Sequence, residues 1–379
     1  MLMSHIKVLH VYRTFFPDPP GGLQEAIRQI CINTRPHSII SKVFTLSPDP
    51  SPESIFFDGI EVIRAKSHLA PASCDISGID GIKKFKELSE WADIINYHYP
   101  WPFSDVLNFF SSKNKIKVIT YHSDIVRQKY ILHFYQPLMS KMLREMDKVI
   151  VTSDNYAKTS KTIINYVSEE QLRTIPLGIK DFSIDYNSSL KNDTLEKFGL
   201  YDTEYVLYLG VLRYYKGLHV VIDAAKKTDK IIVIAGAGPE EERLKAKARG
   251  IKNIIFTGRV TEQQKLDLVA NCKLMVLASH LRSEAFGMVL VEGLMFSKPL
   301  ISCEIGTGTS YVNVDGLTGE VIPPNDYQAL AKAIDKISND QDLYNEYSNN
   351  ARARYLKLFS DVSLGKLYSN LYLEILGNK

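Results

Sequence analysis

The chain has 379 residues, 45% of them hydrophobic and 23% charged, with a formal net charge of +3. That length suits roughly two to three domains, the composition is that of an ordinary soluble globular protein, and the charge is too near neutral to point to nucleic acid. Four scattered cysteines exclude a disulfide frame or zinc site and read as reduced thiols of a cytosolic protein, and no stretch reaches the roughly 18 apolar residues of a membrane-spanning helix.

Short β-branched runs alternate with helical segments throughout. Residues 6–11 read as a first strand rather than a signal peptide, because no small-residue cleavage pattern follows them. Further strands are expected at 41–45, 60–64, 94–98, 117–121, 148–152 and 173–176. A second series follows at 205–210, 231–235, 254–257, 273–278, 300–303 and 320–322. Apolar runs of this kind between helical patterns indicate buried parallel strands, and two series suggest two doubly wound α/β sheets. The boundary is expected near 176–192, with 1–179 as one domain, 180–192 as a polar linker and 193–359 as the other. The final segment, 360–379, carries Val362, Leu367, Tyr368, Leu371, Tyr372 and Ile375 at helical spacing.

Ligands of open α/β sheets bind beyond the carboxyl ends of the strands, and the chemistry-bearing residues follow strands here. Gly21-Gly22 opens the first helix, where paired glycines and free amides suit an anion; a plain turn explains them equally. His98 ends the fourth strand, and its aromatic neighbours Tyr97, Tyr99 and Trp101 could stack on a sugar ring or belong to the core, which makes His98, Tyr99 and Trp101 acceptor-side candidates. His122 follows the fifth strand, in Tyr-His-Ser-Asp, where it could donate to a sugar hydroxyl while Asp124 fixes its tautomer.

The loop 210–217 carries Arg213 and Lys216 into a helix, which suits a diphosphate or a solvated basic loop. Gly236-Ala237-Gly238-Pro239 lacks the third glycine of a dinucleotide fingerprint and is followed by three glutamates that would repel phosphate. It reads mainly as tight strand–helix packing. Val260 lies in a turn after the strand 254–257. The run 283–294 holds Glu284 and Glu292 eight positions apart, the second inside an apolar helix. A carboxylate in apolar surroundings is costly unless paired, so Glu292 requires a partner in the protein or in a ligand. The segment 127–148 mixes cations with aromatics, as a helix lying on anionic lipid does, or as a surface helix with snorkelling cations does.

The run 283–294 resembles the E-x7-E signature of retaining glycosyltransferases with the GT-B fold, glycosyltransferase family four. The stretches 121–126, 212–219, 279–287 and 304–311 resemble in particular the bacterial lipopolysaccharide O-antigen mannosyltransferases. The resemblance implies two Rossmann-like doubly wound domains facing across a cleft. The first would bind acceptor, with the last helix packing back on it, and the second would bind nucleotide sugar. It implies Glu284 at the donor sugar, Glu292 on the ribose hydroxyls and the segment Phe286, Gly287 and Met288 in the same cleft. It also implies Gly21 and Gly22 near the diphosphate, His122 on a donor hydroxyl and Val260 at the base. The family carries Gly-Arg at the start of the 210–217 loop and Lys-Gly six positions later. Lys216-Gly217 fits, but position 211 is Val and Arg213 lies two residues on.

The implied activity is transfer of an α-mannosyl group from GDP-mannose to a lipid-linked O-antigen-type glycan with retention. No cofactor is implied, and no divalent metal, because no Asp-x-Asp motif borders the sheets. The implied partners are the donor, a lipid-linked oligosaccharide and other glycan-assembly enzymes, in the cytoplasm or peripherally at the inner face of the membrane. The alternatives are a UDP-sugar-dependent glucosyl or N-acetylhexosaminyl transferase, an epimerase or phosphorylase, and a non-catalytic binding subunit on the same fold.

Overall fold

The computed structural model describes residues 5–18, 21–71, 74–112, 114–125, 129–186 and 191–377. The chain divides into two compact units, Met1–Gly178 with Asp361–Lys379, and Ile179–Ser360.

In the first unit the β-branched runs become β1 (Ile6–Val11), β2 (Ile39–Ser47), β3 (Ser54–Phe57), β4 (Ile60–Lys66), β5 (Ile94–Tyr99), β6 (Ile116–Tyr121), β7 (Lys148–Val151) and β8 (Leu172–Thr174). They form one sheet in the order β3-β4-β2-β1-β5-β6-β7-β8. All neighbours are parallel except β3 on β4, an edge hairpin that the sequence pattern does not reveal. The strand order reverses between β1 and β5, the switch point at which such sheets form their crevice. Every residue of β5 is buried, because helices cover both faces of a parallel sheet.

The last helix, Asp361–Gly377, belongs to this unit. Its Leu364, Tyr368, Leu371, Tyr372 and Ile375 share a core cluster with Val8, Ile30, Ile94 and Val118. Two of its polar atoms are also satisfied there. Asn96 Nδ2 donates to the Tyr372 hydroxyl at 3.0 Å, and the Tyr368 hydroxyl lies 3.3 Å from Thr120 Oγ1. Each fully buried aliphatic side chain on this face contributes about 1.5–3 kcal/mol.

The second unit is a wholly parallel sheet of β9 (Tyr205–Leu209), β10 (Ile231–Ala235), β11 (Ile254–Gly258), β12 (Leu274–Leu277), β13 (Leu300–Cys303) and β14 (Gly319–Ile322). Its order is β11-β10-β9-β12-β13-β14, with the switch point between β9 and β12. The stretch expected as a free linker is instead bonded to this unit where it is described. Arg352 Nη2 lies 2.6 Å from Asp181 Oδ2, and the Tyr186 hydroxyl donates to Asp267 Oδ1 at 3.0 Å. Polar composition suggested exposure, but these side chains find partners on the second unit. Residues 187–190 lie outside the described residues.

Candidate functional site

In the second unit all the strands run parallel, so every loop that leaves a carboxyl end emerges on one edge. Lys216 arrives there from β9 and Glu284 from β12, on the two sides of the switch point. The Lys216 ammonium donates to Glu284 Oε2, and Ser279 Oγ donates to the same oxygen at 3.0 Å. Glu284 Oε1 has no partner among the described residues. Glu284 is only 8% exposed, and the ammonium offsets the cost of burying its side chain.

The β9 loop is locked by close backbone approach. Gly217 has φ +71°, and a Cβ there would fall 1.9 Å from the Ala278 carbonyl oxygen at the exit of β12. A Cβ on Gly238 would fall 2.5 Å from the Leu212 carbonyl oxygen. The Gly236–Gly238 turn therefore braces the loop that carries Lys216, a packing role for these glycines. Arg213 is exposed and lines a cavity of about 230 Å³ with Tyr214, His219, Glu240, Arg243 and Lys247.

The helix Met288–Met295 starts at Gly287 and carries Glu292 one turn in. Phe286 is buried against Phe359, ring centres 6.1 Å apart, and Gly308 N donates to the Ala285 carbonyl at 2.8 Å, which fixes the turn before the helix. The partner that the sequence demanded for Glu292 is Lys265, at 3.2 Å. Lys265 stands on the helix Glu262–Asn271, whose start is set by a capping box between Thr261 and Gln264. The same ammonium lies 2.7 Å from Glu262. Burial pulls the Lys265 pKa down, but Glu292 and Glu262 together hold it above the ordinary value. Burial raises the Glu292 carboxyl above the ordinary range, and the ammonium it shares with Glu262 only partly offsets this. Val260 is half-buried in the turn after β11.

In the first unit, Gly21 caps the helix Gly22–Thr34 in extended geometry, and a side chain on Gly22 would meet open space. His122 follows β6 and is 7% exposed. Its Nε2 lies 3.1 Å from His98 Nδ1, and His98 Nε2 lies 3.0 Å from His10 Nδ1. Asp124 does not fix the His122 tautomer. Its carboxylate accepts from the Tyr121 hydroxyl at 2.8 Å and from Ser160 Oγ at 2.6 Å, so it braces the loop and leaves His98 as the imidazole's partner.

Three acceptor-side candidates are corrected. His98, Tyr99 and Trp101 are 0%, 1% and 0% exposed. Tyr99 stacks on Tyr121 with ring centres 4.4 Å apart, and Trp101 Nε1 donates to the Asp75 carbonyl at 2.9 Å. They are core groups with no face left for a sugar.

The residues missed in the sequence are His10, Lys265 and Ser279. His10 carried a signal, a polar ring between the apolar Leu9 and Val11 of β1. Of the basic and aromatic segment 127–148, Arg127 and the side chains of 129–134 lie outside the described residues. Among the described residues no helix is long and apolar enough to cross a membrane.

Comparison with known proteins places these features in a family. Residues 20–181 match the model "Glycosyltransferase Family 4", and residues 191–354 match "Glycosyl transferases group 1". The chain is 39% identical over 376 residues to O-antigen chain mannosyltransferase C of Escherichia coli, covering 99% of this chain and 100% of that one. It is 42% identical over 358 residues to D-rhamnosyltransferase WbpZ of Pseudomonas aeruginosa, covering 94% and 92%. In fold it is similar to the crystal structure of HepE of Anabaena in complex with UDP, with TM-score 0.78 at 18% identity, covering 97% of this chain and 100% of that one.

Proposed function

The chain belongs to the group 1 and family 4 glycosyltransferases of GT-B fold, and from that premise we propose that it transfers an α-mannosyl group from GDP-mannose to a hydroxyl of a lipid-linked O-antigen-type glycan, with retention of configuration. The observation that carries the reading is the Lys216–Glu284 pair at the β9/β12 switch point, with Glu292 eight residues on along the same segment. A cation, a carboxylate whose Oε1 has no partner among the described residues, and a second carboxylate eight residues on, one turn into the following helix, suit a diphosphate, a hexose and a ribose in that order.

In this mechanism Lys216, supported by Arg213, neutralises the charge that develops on the departing diphosphate. Glu284 accepts hydrogen bonds from the hexose hydroxyls through Oε1 and places negative charge near an oxocarbenium-like ring. Glu292 holds the ribose diol. His122 makes a hydrogen bond to a donor hydroxyl. The acceptor hydroxyl attacks on the face from which GDP departs, with the β-phosphate oxygen as base. Transfer needs no divalent cation in this scheme, and full activity in EDTA is the expected result. A lipid-linked acceptor puts the enzyme peripherally at the inner face of the cytoplasmic membrane.

Mannose rests on the Escherichia coli relative's name. A D-rhamnosyl donor is the second reading, favoured by the Pseudomonas aeruginosa relative. D-Rhamnose is mannose without the 6-hydroxyl, so the two readings differ in one polar group. The test is a calorimetric titration with GDP, UDP and dTDP, repeated with Glu292→Ala, followed by turnover on the GDP forms of both sugars. GDP-selective binding that the variant loses, with turnover only on GDP-mannose, is expected. UDP-selective binding overturns the donor, and faster turnover of the deoxy sugar moves the assignment to rhamnose.

A further inference from the structure

His10 and His98 lie on the neighbouring strands β1 and β5 of the first unit, and His122 directly follows the next strand, β6. In the sheet register His10 pairs with Asn96, and His98 pairs with Thr120. Each histidine thus stands two residues beyond the partner of the previous one. A two-residue stagger keeps side chains on one face of the sheet, and the three rings form a ladder. Adjacent ring centres are 5.3 and 5.4 Å apart, and adjacent planes tilt by only 24° and 23°. The nitrogens meet at 3.0 and 3.1 Å. His10 and His98 are fully buried, and only the His122 end reaches solvent. The far nitrogen, His10 Nε2, is buried with no partner among the described residues. The ladder crosses the β1/β5 switch point.

This geometry restricts the protons. Each nitrogen–nitrogen contact needs one proton, and each neutral ring has one to give. If His98 carries its proton on Nδ1, His122 Nε2 must accept, so His122 is protonated on Nδ1. His98 Nε2 must then accept from His10 Nδ1. If His98 carries its proton on Nε2, all three rings are protonated on Nε2 by the same logic. A mixed ladder leaves one contact with two protons or with none. Burial keeps the rings neutral: desolvation lowers His10 and His122 to about 3, and His98 also falls well below the ordinary imidazole value.

We propose that His10 and His98 are positioning residues that tie the tautomer of His122 to their own, so that the three imidazoles act as a single unit with one hydrogen-bonding face toward the donor hydroxyl. The inference rests on His122 contacting the donor as proposed above. The ladder itself does not depend on that contact.

The test is long-range 1H–15N NMR of the histidine rings in the full chain, without ligand, at pH 7.5. The wild type is compared with His98→Asn, whose side-chain amide can replace the Nδ1 contact, and with His98→Leu. One shared neutral tautomer at His10, His98 and His122 is expected. His98→Leu should return His122 to a tautomer mixture and lower kcat about tenfold, the effect of losing one oriented hydrogen bond. GDP affinity should stay unchanged, and His98→Asn should restore both the single tautomer and most of the turnover. Unlike tautomers on adjacent rings, a charged ring at that pH, or unchanged His122 shifts in His98→Leu would overturn the ladder. If the leucine variant does not fold, the wild-type spectrum decides alone. A locked ladder with unchanged turnover in His98→Leu would instead remove the functional lock and put the His122 contact in doubt, while the proton geometry stands.

Discussion

Lys265 and Glu292 meet at 3.2 Å from two different helices, 27 positions apart in the chain, and the ammonium is shared with Glu262 at 2.7 Å. One cation between two carboxylates leaves Glu292 incompletely compensated, so its charge is poised where pH and neighbours matter.

Lys265→Met should therefore raise the Glu292 carboxyl further and weaken GDP binding, on the order of tenfold. The loss should be larger at pH 6 than at pH 8, because less of the carboxylate is ionised at the lower pH. Calorimetry at both values checks this. Equal affinities across the two would remove Lys265 from the nucleotide site.

Glu284→Ala is expected to separate chemistry from binding. The variant loses the carboxylate at the hexose but frees Lys216 from its ion pair. Turnover should fall by roughly 1.5–3 kcal/mol of barrier, the range for hydrogen bonds to a charged group. GDP affinity should hold or rise. A parallel loss of both in this variant would mean that Glu284 serves the fold of the loop rather than the reaction.

Acid should destabilise the first unit before its carboxylates titrate. The unfolded chain takes up protons on the three ladder histidines below about pH 6.5. The folded chain does not, since burial holds His10 and His122 at about 3 and His98 well below the ordinary value. The unfolded state thus binds more protons between about pH 3 and 6.5, and stability rises with pH there. Melts should show Tm falling as pH drops from 7 to 5, with a shallower slope in His10→Phe. An unchanged Tm over that interval would contradict neutral burial of the rings.

Gly238→Ala places a methyl group against the Leu212 backbone, with 2.5 Å to its carbonyl oxygen. Neither chain segment is a flexible side-chain end, so the β9 loop must shift. A stability loss of about 1–3 kcal/mol, typical of overpacking, is expected. GDP affinity should fall with it, because Lys216 moves with the loop. Urea unfolding and calorimetry on one preparation read both effects.

Most of the architecture was legible because strands buried on both faces leave continuous β-branched runs. The same burial hid the role of β5. Every residue of that strand is buried, so nothing in the sequence separates a strand-end aromatic that meets ligand from one that meets core. The sequence therefore leaves Tyr99 and Trp101 open between ligand and core, and burial decides for core. The hairpin strand Ser54–Phe57 was missed because it is short, lies on an edge and leaves Phe56 75% exposed. For Glu292 the need for a partner could be read from solvation cost alone. That the partner is Lys265 could not, since the contact joins two helices and has no local signature. Asp124 stood beside His122 in sequence but faces Tyr121 and Ser160 in space.

The last helix gives this protein an unusual birth order. Its Leu364, Tyr368 and Tyr372 close the core around Val8, Ile30 and Ile94, yet a ribosome adds them only after the whole second unit. The second unit, an unbroken stretch from Ile179 to Ser360, emerges whole before the first can finish. Vectorial synthesis normally completes domains from the N-terminus onward; here the earliest-made unit is the last to be sealed. Until that helix is made, an apolar face of the nascent chain has no cover, and a chain stopped before it would keep that face open for aggregation.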